Sequence, residues 1–129
     1  MTDKGEVKFV NLHPETGFTH CTYVKAGNFI YTSYHGAIVD EEGKLLTDIE
    51  SQTEYTFKEL KKSLAHADAS LDDVIKTTVL IKNKEDFRKM VSIYRNQFKT
   101  DFPVRTTFIT DFLDDRILIQ IDVVAYVGS

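Results

Sequence analysis

Arg105 is the side chain best suited to grip an anion. It follows Phe102-Pro103, so a proline with restricted φ sets its entry into a β-branched segment, and a planar guanidinium presents a fork of donors that matches a carboxylate. The competing reading is a strand arginine paired with one of the chain's 20 acids, and the residue taken alone favours that pairing. His35, in Ser33-Tyr34-His35-Gly36, stands at the end of an apolar alternating stretch, where site residues gather. As a lone histidine it has catalysis as its minority reading. His13, His20 and His66 are scattered, and His66 lies among polar neighbours as a surface residue. Cys21 is the only cysteine. An internal disulfide, a thiolate metal set and CxxC redox chemistry are therefore excluded, and Cys21 reads as a packed small residue. Asp111, Asp114 and Asp115 read as a solvated turn rather than a metal site, and Arg88, Arg95 and Arg116 as ordinary surface charges. No glycine-rich phosphate loop, HExxH or GxSxG occurs, so covalent and metal-dependent mechanisms lose most of their support.

The elements that must position these residues follow from periodicity. Residues 7–10, 22–26 and 29–33 alternate as strands, the last two joined by a tight turn at Gly27-Asn28. Ala37-Ile38-Val39 runs into a reversal at Gly43. From Asp48 the period changes: Thr53, Phe57, Leu60, Leu64 and Ala67 share one face of a helix that Asp48 or Ser51 would cap. Val74–Ile81 is a β-branched strand; Phe87, Met90, Val91, Tyr94 and Phe98 then repeat the helical spacing. Strands at 102–108 and 117–127, with an acidic turn between, complete an α+β chain whose two helices cover one face of a mixed sheet. In the last strand Ile117, Ile119, Ile121, Val123, Ala125 and Val127 form an unbroken apolar face. The opposite face, Leu118, Gln120, Asp122, Val124 and Tyr126, is half apolar. It is either an oligomer surface or a solvated face, and this strand alone does not choose.

With 129 residues, 42% of them hydrophobic and 28% charged, the chain is expected to form one domain over 1–129. It has no apolar run long enough to span a bilayer, and Met1–Glu6 lacks the basic and hydrophobic parts of a secretory signal, so a cytoplasmic protein is expected. A net charge of −4 argues against a nucleic-acid surface.

Several stretches resemble, in order, the RidA/YjgF family. They are Gly27-Asn28-Phe29-Ile30-Tyr31-Thr32-Ser33, Lys76 to Lys82, Asp86-Phe87 with Tyr94 and Phe98, Phe102-Pro103-Val104-Arg105-Thr106, and Ile119 to Ala125. The resemblance covers nearly all of the chain after Gly17, and Phe-Pro-x-Arg-Thr is its most specific part. It implies a chorismate-mutase-like fold, a homotrimer with ligand clefts between subunits, and no metal or cofactor. It further implies hydrolysis of small imines and enamines, such as 2-aminoacrylate, to 2-keto acids and ammonia. Arg105 would hold the substrate carboxylate, and Gln120, Ser33, Tyr34 and His20 would line the cleft. Three residues depart from the family pattern: Gln120 where a water-holding glutamate is usual, Tyr34 where glycine follows the serine, and His20 where a tyrosine often stands. An amide cannot serve as a base, and a phenol in place of hydrogen is expected to fill or reshape the pocket. A non-catalytic module that senses small carboxylates is therefore the alternative, and RNA cleavage, a label that some family members carry, is third. Asp122 matches a family acid to which the resemblance assigns no role.

Overall fold

The computed structural model describes residues 6–99 and 101–128. Its elements are β1 (Val7–Val10), β2 (Tyr23–Ala26), β3 (Phe29–Thr32), α1 (Ile49–His66), β4 (Val74–Ile81), α2 (Phe87–Arg95), β5 (Val104–Ile109) and β6 (Ile119–Tyr126). The strands form one sheet in the order β1-β2-β3-β6-β4-β5. Every neighbour is antiparallel except β4 and β5, which run parallel because α2 carries the chain back between them. The two-residue loop between Ala26 and Phe29 places Gly27 at φ 58°, the positive value that a tight hairpin demands.

Asp48 caps α1, its carboxylate accepting from the Ser51 amide at 2.7 Å. Such a cap is worth about 1 kcal/mol. Thr53, Phe57, Leu60, Leu64 and Ala67 are all buried, and the last four share one core cluster with Ile119, Ile121, Val123 and Ala125 of β6. Phe57, Tyr94 and Phe98 form an aromatic cluster between the helices, with ring centres 5.0 to 5.9 Å apart. The core thus lies between one face of the sheet and the two helices. None of the helices among the described residues is long and apolar enough to cross a membrane.

Several expected boundaries shift, by one residue at β2 and β3, by three at α2, which ends at Arg95 before Phe98, and at three further places. Residues 37–39 form no strand but a single bridge, Val39 to Leu45, because the Asp40 carboxylate takes the Glu42 and Lys44 amides and closes the turn at once. Strand β5 begins at Val104, after Pro103, which has no N–H for the ladder. Strand β6 begins at Ile119 because a turn at Asp114, whose carbonyl accepts from the Ile117 amide at 3.1 Å, occupies the residues before it.

The other face of the sheet carries cross-strand rows such as Phe9, Val24, Tyr31 and Val124. Nothing among the described residues covers it, and Phe9 and Phe108 are 72% and 53% exposed. A contiguous apolar face of this kind is rare on a monomer.

Candidate functional site

The site begins where β3 loses register with β6. Tyr31 pairs with Val124 and, further on, His35 bridges Ile121, so three residues on one side (Thr32, Ser33, Tyr34) oppose two on the other (Asp122, Val123). This is a β-bulge, a device that re-aims side chains. The Thr32 hydroxyl accepts from the Val123 amide at 3.0 Å within the irregularity. Tyr34 is thereby turned to the open face and His35 to the helix face.

On the open face a groove of about 960 Å³ is lined by His20, Ser33, Tyr34, Gln120 and Asp122, with Phe18, Leu80, Phe112 and Ile117 among its apolar walls. Its size falls in the range of small-molecule sites. No lysine or arginine lines it, whereas Asp111 and Asp114 do. Tyr34 forms a wall of this groove, which leaves open the second of the two outcomes expected of a phenol in place of hydrogen, a reshaped pocket. Burial, and then the neighbouring Asp122, push the Tyr34 phenol above its ordinary pKa, so it stays a hydrogen-bond donor at neutral pH. Gly36 passes so close to β6 that an added Cβ would meet the Ile119 carbonyl at 3.1 Å and the Gln120 Cγ at 3.3 Å. Glycine there lets the loop lie against the groove floor. Asp114 is gripped by Arg116 at 2.7 Å, and those hydrogen bonds hold its carboxyl down to about 2.

Arg105 is elsewhere. It pairs in register with Thr77, whose side chain is buried under the helices. Its guanidinium lies 5.2 Å from the Tyr94 ring centre and 5.4 Å from that of Phe87, on the helix side of edge strand β5. Gln120 pairs with Leu80 on the opposite side of the sheet. One chain therefore cannot offer Arg105 and the groove to the same small molecule. The acid pairing that the bare residue favours is not found: among the described residues no carboxylate lies within ion-pair distance of Arg105. Two aromatic faces steady the cation instead, and its donors remain open to an anion. Beneath it, Tyr94 and Thr77 share a hydroxyl hydrogen bond of 2.8 Å.

His35 turns inward. Its Nδ1 is 2.8 Å from the Ser33 carbonyl and must donate to it, which leaves Nε2 of the neutral ring to accept from the Ser63 hydroxyl at 2.7 Å. Burial lowers its pKa from the ordinary 6.5, against smaller opposing effects from the Ser33 carbonyl and Glu59. It ties the bulge to α1 and faces away from the groove. Above the ordinary value the ring is neutral in both states. Below it the unfolded chain takes up a proton that the folded chain resists, so His35 costs stability as pH falls. The difference in urea midpoint between pH 7.5 and pH 5.5 is accordingly larger for the wild type than for His35→Gln; an equal difference would show that His35 does not contribute. His66, read as a surface residue, is exposed but also takes a 2.7 Å contact from the Tyr23 hydroxyl.

Comparison with known proteins shows the family. The family profile described as endoribonuclease L-PSP matches residues 10–127. A RutC family protein of Pyrococcus abyssi is 34% identical over 122 residues, covering 94% of this chain and 96% of the relative. The chain belongs to the RidA/YjgF family. A solved Rid-family protein of unknown function from Yersinia pestis superposes with a TM-score of 0.78 at 30% identity, covering 84% of this chain and 88% of the other. The human 2-iminobutanoate/2-iminopropanoate deaminase is 29% identical over 100 residues, 77% of this chain and 73% of that enzyme.

Several features of this RidA/YjgF member have no local sequence signal. Gln52 is fully buried in the first turn of α1. Its amide donates to the Leu46 and Arg116 carbonyls and its oxygen accepts from the Leu118 amide, each at 2.8 Å. It clasps the segment that carries Asp114 and Ile117, a wall of the groove, yet its partners Arg116 and Leu118 lie more than sixty residues away. Phe87 and Tyr94 as supports for Arg105 were legible only as a helical apolar stripe. Among the described residues no cluster of three or more histidine, cysteine or acidic side chains is arranged to hold a metal.

Proposed function

We propose that this protein hydrolyses small imines and enamines derived from amino acids, of the 2-aminoacrylate type, to 2-keto acids and ammonia. The reaction takes place in a cleft shared by two copies of the chain. The observation that carries this reading is the placement of Arg105 on one side of the sheet and of His20, Ser33, Tyr34 and Gln120 on the other. A ligand of few atoms reaches both only if one copy supplies the arginine and the next supplies the groove. The uncovered apolar face provides the contact surface, and a closed ring of three copies is the assembly expected for the family.

In that cleft the Arg105 fork takes the substrate carboxylate and fixes the imine carbon over the groove. Gln120 and the Tyr34 phenol, which both line the groove, hold a water near it. An imine carbon is already electrophilic, so orientation and a positioned water supply most of the acceleration. Carboxylates in place of cations along the groove disfavour an RNA backbone, which supports this reading over nuclease activity.

The test generates imines from a panel of amino acids with an amino-acid oxidase and traps them with semicarbazide. The protein is expected to lower trapped product and raise keto acid. No effect with any imine would sink the hydrolytic reading and leave a non-catalytic carboxylate-binding module, which the amide at Gln120 would suit.

A further inference from the structure

The groove has an unanswered requirement: water attacking an imine must lose a proton, and Gln120 cannot accept one. We propose, resting on the hydrolytic reading above, that Asp122 is the base that takes this proton, with Tyr34 beside it.

The other candidates in the groove are weaker. Asp114 is clamped by Arg116 in a bidentate pair, which makes it a poor base. Asp111 is exposed on the loop after β5, and His20 is exposed, stacked on Phe18 at 5.4 Å in the loop before β2. Asp122 instead stands on central strand β6, half-buried, directly opposite Thr78 of β4 and beside Tyr34. It lies two residues from Gln120 on the same face, hence about 6.8 Å away along the strand, a gap that one water bridges. A base on a strand is held more firmly than one on a loop.

The groups facing it are Lys76 and Thr78 from β4, Tyr34 from the bulge, and Thr106 of β5 beyond Thr78, while His35 acts on it from the helix side of the same strand. Burial raises the Asp122 carboxyl above its ordinary value, while Thr78, Lys76 and His35 pull it back. A carboxylate so raised is a better proton acceptor.

The step balances as follows. The water oxygen bonds to the carbon of the protonated imine, the C=N pair moves to nitrogen, and a water proton passes to the Asp122 carboxylate. The acid so formed protonates the amine nitrogen. The C–N bond then breaks with its pair leaving on ammonia, an oxygen pair forms the C=O bond, and the hydroxyl proton returns to Asp122. Ammonia takes that proton and leaves as ammonium.

The test measures kcat/KM against pH for wild type, Asp122→Asn, Gln120→Glu and the double variant, with thermal midpoints as a check on folding. Loss of general-base catalysis is expected to lower the rate of Asp122→Asn about 10²-fold and to erase the fall in activity on the acid side. Gln120→Glu in that background is expected to restore at least tenfold. If Asp122→Asn keeps the wild-type rate and acid limb while Arg105→Ala is inactive, the assignment of Asp122 fails and the deaminase reading stands. If wild type hydrolyses no imine, both fall together. Should Asp122→Asn unfold, Asp122→Glu decides: displacing the carboxylate by one methylene is expected to lower kcat/KM at least about threefold and to move the acid limb, and an acid limb that stays where the wild type has it overturns the assignment.

Discussion

Arg105→Ala is expected to lower kcat/KM for imine hydrolysis by about 10²–10³-fold with little change in thermal stability. Two charge-assisted hydrogen bonds to a carboxylate, at roughly 1.5–2 kcal/mol each, account for that factor. The stability of the fold changes little because the exposed guanidinium has no carboxylate partner among the described residues and contributes only its contacts with Phe87 and Tyr94. Arg105→Lys keeps the charge but loses the fork and much of the stacking, so it should recover only a small part of the activity. Steady-state kinetics on the three proteins, with thermal melts alongside, checks this. A loss below about threefold for Arg105→Ala would remove the carboxylate grip from the account.

Gln52→Leu is expected to cost about 3 kcal/mol of folding stability, a large fraction of what a domain of this size has. The leucine fills similar volume but leaves the Leu46 and Arg116 carbonyls and the Leu118 amide without their partner. Each buried orphan costs about 1–3 kcal/mol, less whatever water recovers. Urea unfolding should show a lower midpoint with an unchanged slope, and a loss under about 1 kcal/mol would mean that the loops re-pair without the clasp. Because Gln52 also fixes the segment bearing Ile117, the surviving folded protein should show a raised KM.

What the sequence made legible was whatever a local period encodes. Val74–Ile81 was readable as a β-branched run, and the buried odd positions of the last strand because every second residue reports its face. The cap at Asp48 was readable because it acts within three residues. The groove residues Ser33, Tyr34 and Gln120 came from family resemblance, not from periodicity. The bulge that turns Tyr34 to the groove and His35 to the core depends on pairing with Ile121, a partner more than eighty residues away. The separation of Arg105 from Gln120 across the sheet follows from the parallel register of β5 on β4, which no run of residues near Arg105 specifies. His35 illustrates the same limit: its position at a strand end suggested a site, and only its contact with Ser63 on α1 makes it structural.

The central claim is a site built from two copies, and mixing two defective proteins tests it most directly. Arg105→Ala removes the carboxylate grip, and Gln120→Trp fills the groove; each alone should be inactive. Unfolded together in equal amounts and refolded, they should regain about a quarter of the wild-type rate, the share of contacts in an assembly that pair an intact arginine with an intact groove. No recovery in the mixture, with wild type refolded in parallel fully active, would contradict a shared cleft.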